Sequence, residues 1–491
     1  MASSLLTKTR YLTGLQCPGL LWLQLHEPER VPATDEVTQS IFDQGHEVGE
    51  LAKKLFPGGI DVPPSDFMGN IRQTKALLEE RKPVFEAGIM AGRLYARVDI
   101  LSPAGDGEWD IFEVKSSTSV KDVHIDDIAF QRHCCMKNGL EIRNCNLVLI
   151  NNKYVRNGDI DPEQLFTIHD VTEETRDAAS GIEDRIEVIS GVMNSNTCPE
   201  MLIGPHCTDP YECPVTECRA HLPEDSVFTL YWSGKKAWEL YYGGVLGISE
   251  IPEDFKLNPK QLIQKNAVIS GETYSNRQAI RDFLNTLVYP LYYLDFETIA
   301  PAIPLFDGSR PYQNIPFQYS LHVVQGESAE PVHHSYLHTG PGDPRPGLMA
   351  GLRSLLGESG SIIAYNKGFE EGCLREAAEA FPEYGEWVGG ILERTIDLLT
   401  PFSSFHYYHP DQKGSASLKK VMPAITGTGY DDLNIADGMK ASIDYLTTNY
   451  GNASEEEKNK VLSDLEKYCG RDTEGMIWIV DKLRELSTRL L

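Results

Sequence analysis

Residues 291–300 read LYYLDFETIA, an apolar run of strand length that follows Pro290 and ends in two acids, Asp295 and Glu297. Side chains on a strand alternate between faces, so two acids two residues apart leave the same side. Such a pair repels unless a cation sits between them, and open α/β sheets place their sites at the ends of buried strands. Downstream, FQYSLHVV (317–324) and HHSYLH (333–338) read as further strands. A helix around 346–356, strand SIIAYN (361–366), helix EEGCLREAAEAF (370–381), strand RTIDLL (394–399) and helices to the C-terminus then alternate. This alternation predicts a mixed α/β sheet. The aromatics of YQNIPFQYSLH (312–322) are read as core.

The segment YCGRD places Tyr468 and Asp472 four residues apart, on one face of a long C-terminal helix. Between strand and helix, AYNKGFEEG (364–372) supplies Asn366, Phe369 and Glu370. A strand D-x-E, a middle acid and a helical Y-x-x-x-D resemble the DEDD exonucleases of the DnaQ-like, RNase H-fold family, tyrosine subtype, over about residues 286–491. The middle motif there is Asn, a short gap, an aromatic and Asp, so Glu370 stands in for the aspartate, with Glu371 and Asp397 as alternatives. The resemblance implies two-metal hydrolysis with Mg2+ or Mn2+. Asp295 would contact both ions, Glu297 and Asp472 would support one, Glu370 would help with the other, and Tyr468 would orient the attacking water.

The first half carries a second constellation. EVTQSIFDQGHEVGELAKKLF (36–56) has helical periodicity and bears His46, and another helix is expected around 70–81. RLYARVDILS and EWDIFEVKSS read as two strands across the turn-like PAGDG, followed by a helix from Ile125 to Asn138 and the strand CNLVLIN. Glu113 and Lys115 share a strand face, Asp99 can oppose them across the hairpin, and Gln131 follows on the helix. Carboxylates for a divalent ion beside an ammonium for phosphate or water suit phosphodiester hydrolysis. An E-x-K pair alone is more often a salt bridge. The ordered set His46, Asp99, Glu113, Lys115 and Gln131 instead resembles the PD-(D/E)XK nucleases, in the RecB and CRISPR-associated exonuclease branch, over residues 5–220. That resemblance implies metal binding by His46, Asp99 and Glu113, and Lys115 as the catalytic lysine. Where the branch has a tyrosine four residues after Gln131, this chain has Cys135.

Ten cysteines in a chain of 491 residues argue for metal ligands plus buried thiols rather than disulfides. Cys207, Cys213 and Cys218 lie in an irregular Cys- and Pro-rich stretch, and Cys17 sits at the other end of the same predicted domain, so a thiolate staple could close it. Iron–sulfur members of the branch share this layout, which implies a [4Fe-4S] cluster, with structural zinc as runner-up and Cys198 as a substitute ligand. Cys134, Cys135, Cys145, Cys373 and Cys469 are read as core.

The net charge of -27 speaks against a general nucleic-acid coat protein but leaves room for a nuclease, which needs only a local cationic channel. Lys53, Lys54, Lys75, Arg93 and Arg97 are candidates for lining it. No signal peptide or membrane span is apparent, so a cytoplasmic protein with no membrane partner is expected. Together these readings predict an α/β chain of two nuclease domains. A PD-(D/E)XK restriction-endonuclease-like core (1–222) and a helical connector (223–285) precede an RNase H-like mixed sheet with helices on both faces (286–491). The expected activity is trimming of nucleic-acid ends, single-stranded DNA favoured and RNA the alternative, 3′→5′ at the C-terminal site. Rival readings keep one site active and the other as a binding platform, or make the chain a redox-sensing scaffold in a repair or defence complex.

Overall fold

A computed structural model describes residues 5–63 and 66–488, a mixed α/β chain. It divides into two compact units. The first runs to His221 and takes in Pro301–Tyr312, and the second comprises Leu222–Ala300 and Gln313 onward. Residues 223–285, expected as a connector, therefore belong to the second unit, where Val227, Leu230, Leu240, Ile248 and Ile251 form a small core. Among the described residues no helix is long and apolar enough to cross a membrane.

The first unit is built on a seven-stranded sheet. Its strands are β1 (Leu6–Thr7), β2 (Ile60–Asp61), β3 (Val84–Ala91), β4 (Leu94–Pro103), β5 (Trp109–Lys115), β6 (Ile142–Ile150) and β7 (Phe166–Asp170). They lie in the order β2-β3-β4-β5-β6-β7, and β1 pairs in parallel with β4. The β3–β4 hairpin turns at Gly92, whose φ of 63° is open to glycine at no steric cost. The helix Asp122–Lys137 buries Ile128, Ala129 and Phe130 against this sheet. The excursion Pro301–Tyr312 is held by Arg156, whose guanidinium donates to the carbonyls of Pro304 and Leu305 at 3.0 and 2.7 Å.

The second unit holds a two-stranded pair, β8 (Tyr274–Ser275) with β14 (Tyr407–Tyr408), and a five-stranded sheet. The larger sheet comprises β9 (Leu291–Ile299), β10 (Ile315–Val324), β11 (Val332–Leu337), β12 (Ser361–Ala364) and β13 (Thr395–Asp397). Their order is β11-β10-β9-β12-β13, with β9, β10 and β11 antiparallel and β12 and β13 parallel to β9. In order along the chain this is 3-2-1-4-5. One face of β9, through Tyr292, Leu294 and Phe296, packs on the helices Arg345–Leu355, Gly368–Ala380 and Gly385–Glu393. The opposite face meets the 34-residue helix Glu455–Thr488, with Gln318 donating to the Leu465 carbonyl at 3.0 Å and Ser320 bonded to Thr473 at 2.6 Å. The core reading of the 312–322 aromatics agrees with Phe317 and Tyr319, which are 0% and 3% exposed.

Candidate functional site

On β9 the odd residues face the C-terminal helix, so Asp295 and Glu297 project towards Tyr468 and Asp472. The cavity between them, about 350 Å³, is lined by Asp295, Glu297, Phe369, Glu370, Met439, Tyr468 and Asp472, among others. Glu370 reaches it because the chain turns sharply after β12. Asn366 takes a left-handed conformation (φ 66°), and its amide donates to Asp397 at 3.0 Å. The helix Gly368–Ala380 then starts with Glu370 in its first turn. Glu370 is 4% exposed, and its Oε2 is buried without a hydrogen-bond partner. The alternatives from the sequence are engaged elsewhere. Glu371 pairs with Lys367 at 3.1 Å and Arg375 at 2.7 Å, and Asp397 accepts from two backbone amides.

Two groups here were missed by the sequence reading. Tyr430 donates its hydroxyl to Asp472 Oδ1. Cys469, read as plain core, is fully buried, yet its thiol lies 3.6 Å from Asp295 Oδ2. Asp295, Glu297 and Cys469 form the one group of three such residues among the described ones whose donor atoms all lie within 4.8 Å of one another.

The acids are held uncomfortably. Burial, then the neighbouring Asp472, Glu297 and Glu370, push Asp295 well above the usual carboxylate range. Glu297 is pushed up by burial and by Asp472, against the lowering pull of Lys419. Burial raises Glu370 to about 8 and Asp472 to about 7, the latter despite the Tyr430 hydrogen bond and the Lys419 and Arg471 charges. Raised carboxylates mean that the folded chain keeps protons the unfolded chain releases near pH 4. Stability without metal should therefore be greatest below pH 4 to 5 as far as these groups are concerned, and fall as pH rises towards 8. Chelator-treated protein should show a melting temperature that drops between pH 5 and 8. Glu370→Gln should flatten the drop and Mn2+ at pH 8 should reverse it. A melting temperature independent of pH in the wild type, with no response to Mn2+, would contradict this account.

In the first unit, Glu113 and Lys115 share a face of β5, and Lys115 Nζ lies 2.7 Å from Glu113 Oε1. Asp99 accepts from the Val114 amide at 2.9 Å. Gln131 donates to Glu113 at 2.7 Å and to Asp127 at 2.9 Å, so it positions carboxylates. Asp127 and Lys8, which the sequence reading did not single out, complete the network: Asp127 is 2.6 Å from Lys115, and Lys8 is 2.7 Å from Glu113. His46 makes none of these contacts. It is exposed on the helix Glu36–Ala52, whose buried positions are Val48 and Ala52, and His46 points about 200° around the helix from Val48. Of the candidate channel cations, Lys53 pairs with Glu50 and Asp61 at 2.5 and 2.6 Å, and Arg97 with Glu86 at 2.8 Å.

None of the cysteines expected as ligands is in a disulfide. Burial pushes the Cys213 thiol up, and Cys17 and Cys207 add to it. Cys218 is raised in the same way by burial, Cys207 and Cys213. Gln16 secures the approach by donating to the carbonyls of His206 and Tyr211 at 2.9 and 2.6 Å. Cys198 also lies near enough to feel Cys17. Cys134, Cys135, Cys145 and Cys373 are buried core.

Residues 292–417 match a family described as a domain of unknown function, DUF2779. The chain is 28% identical over 213 residues to the uncharacterized protein MG366 of Mycoplasma genitalium, covering 40% of this chain and 32% of that protein. It is 25% identical over 231 residues to the uncharacterized protein UU173 of Ureaplasma parvum, covering 43% and 33%. The chain thus spans about a third of the length of the curated relatives it matches.

Proposed function

We propose that this chain is a metal-dependent phosphodiester hydrolase that trims nucleic acid from its ends, with its principal site at Asp295, Glu297, Glu370, Tyr468 and Asp472. The observation that carries the reading is that four carboxylates from three separate segments surround one cavity with more negative charge than Lys419 and Arg471 offset. Burying like charges together is costly unless a cation joins them. The partnerless Oε2 of Glu370 fits a ligand awaiting such an ion. The 3-2-1-4-5 strand order and helices on both faces support an RNase H-like fold for this sheet, and with it the DEDD reading.

Divalent Mg2+ or Mn2+, when bound, would neutralise phosphate charge and lower the pKa of the attacking water. Asp295 sits centrally on the strand. Asp472 has one oxygen fixed by Tyr430, which leaves the other to face the cavity. The Tyr468 hydroxyl would hold the nucleophilic water, while Phe369 and Met439, 37% and 58% exposed, would offer apolar surface for a terminal base. A cavity of about 350 Å³ suits one terminal nucleotide better than a duplex, which favours single-stranded DNA, with RNA the alternative.

In the first unit the Asp99, Glu113 and Lys115 set supports a second, RecB-like PD-(D/E)XK centre. Cys17, Cys207, Cys213 and Cys218 would hold a [4Fe-4S] cluster that staples the unit. A single zinc, at about 2.3 Å from each sulfur, draws tetrahedral thiolates to within about 3.8 Å of one another. Zinc accepts the same four thiolates and is the alternative occupant. Anaerobically purified protein should degrade end-labelled single-stranded DNA or RNA. Asp295→Ala should remove 3′→5′ degradation and Lys115→Ala should leave it intact. Undiminished 3′→5′ cleavage by Asp295→Ala would refute the principal assignment.

A further inference from the structure

The two carboxylate clusters are neutralised in different ways. In the second unit the acids outnumber the cations that reach them. In the first, the cation position is filled from within the chain. Lys8 Nζ lies 2.7 Å from Glu113 Oε1, 3.7 Å from Asp127 Oδ2 and 3.9 Å from Asp99 Oδ1, so one ammonium touches all three acids. Lys115 Nζ adds a second ammonium on Glu113 and Asp127. Both oxygens of Glu113 are thereby engaged, Oε1 by the two lysines and Oε2 by Gln131. The side chains of Glu113 and Asp127 are 1% and 2% exposed, so water screens these contacts little.

The fold fixes Lys8 in this place. Leu6 and Thr7 pair with Leu94 and Tyr95 of β4, the strand that carries Asp99, and Thr7 caps the helix Lys8–Gln16 by accepting from the Arg10 amide at 3.3 Å. Lys8 is the first residue of that helix, and its ammonium reaches back over the sheet. Burial alone would weaken its charge, but Asp127, Glu113 and Asp99 more than reverse that and hold it protonated.

We propose that Lys8 is a tethered counter-ion that competes with divalent metal for Asp99, Glu113 and Asp127, so that metal loading of the first unit requires the Lys8 ammonium to withdraw. The inference rests on the metal-site reading of these acids but not on the activity assigned to the second unit. An ammonium that bridges three carboxylates occupies the volume and the charge a metal ion would need, and its local concentration is set by the tether. The same lysine would be free, once displaced, to meet substrate phosphate.

The test is Mn2+ binding, followed by the electron paramagnetic resonance signal of free Mn2+, in full-length protein whose second site is disabled by Asp295→Asn and Asp472→Asn. In this background Lys8→Met should bind one Mn2+ at least tenfold more tightly than the parent, and Glu113→Gln added to it should abolish the gain. Lys8→Arg should behave as the parent. Lys8→Gln keeps a hydrogen-bond donor without the charge and is read in the same way as Lys8→Met should the methionine variant not fold. Equal or weaker Mn2+ binding by the uncharged variants, or tight Glu113-dependent binding already present in the parent, overturns the proposal. Failure of the end-trimming reading would instead appear as absence of cleavage in the wild-type protein, whatever these affinities prove to be.

Discussion

Asp472→Asn should eliminate 3′→5′ hydrolysis while leaving the fold intact. The substitution keeps the shape and the hydrogen bond from Tyr430 but removes one of four converging carboxyl groups. Bound divalent ions would supply several kcal/mol in the transition state, and each 1.36 kcal/mol is tenfold in rate, so a loss of about 10³-fold or more is expected. Relieving charge repulsion should at the same time raise the melting temperature of the metal-free protein at pH 8, because Asp472, pushed up to about 7, is then no longer forced to ionise inside the site. This opposition of activity and stability separates a ligand from a structural residue, whose loss would lower both. Tyr468→Phe should keep Mn2+ binding and slow hydrolysis about tenfold to a thousandfold, the range for one positioned hydrogen bond. The measurements are single-turnover cleavage of a 3′-labelled strand and thermal denaturation with and without Mn2+. Full activity in Asp472→Asn, with Lys115 already replaced, would exclude the second unit as the source of 3′→5′ cleavage.

What was legible in the sequence is what short-range periodicity encodes. Asp295 and Glu297 share a strand face and Tyr468 and Asp472 a helix face because periods of 2.0 and 3.6 are fixed by the backbone, and the structure brings all four to one cavity. Asp127 was legible in principle: it precedes Gln131 by four residues on the same helix, and the same glutamine amide joins both it and Glu113. Lys8, Tyr430 and Cys469 were not, since nothing local distinguishes a site lysine, tyrosine or buried thiol from an ordinary one. Tyr430 lies in an irregular segment and finds Asp472 only through tertiary packing. His46 is a different case. Its helix was anticipated, but the hydrophobic pattern that marks a helix also says which side is buried, and Val48, Leu51 and Ala52 set that side away from His46. The excursion of Pro301–Tyr312 into the first unit had no signal either, because a segment of Pro, Gly and scattered apolar residues reads as a loop whichever core receives it.

Anaerobically purified protein should be brown, and Cys17→Ser should bleach that colour and lower the melting temperature, a result that the position of Cys17 makes informative. Cys17 is the N-cap of the helix Pro18–His26, and its sulfur accepts from the Leu20 amide at 3.3 Å. Serine is among the best N-cap residues, so for the helix alone this replacement should be neutral or stabilising. Any large loss must come from another role of the sulfur, as ligand of the proposed cluster; Cys213 lies near enough to feel it. Oxygen is a hard donor and replaces a soft thiolate poorly, so the variant should lose visible absorption and iron together. A bound structural metal commonly contributes ~10 kcal/mol to folding of the unit that holds it. Losing even a third of that in a unit of this size corresponds to a fall on the order of 10 °C in melting temperature. Cys207→Ser, Cys213→Ser and Cys218→Ser should match it in colour and iron content, and Cys198→Ser should retain both. A colourless wild type that carries one tightly bound zinc and no iron would replace the cluster by a zinc staple, and a Cys17→Ser protein as stable as its parent would show that the capped helix needs no ligand at all.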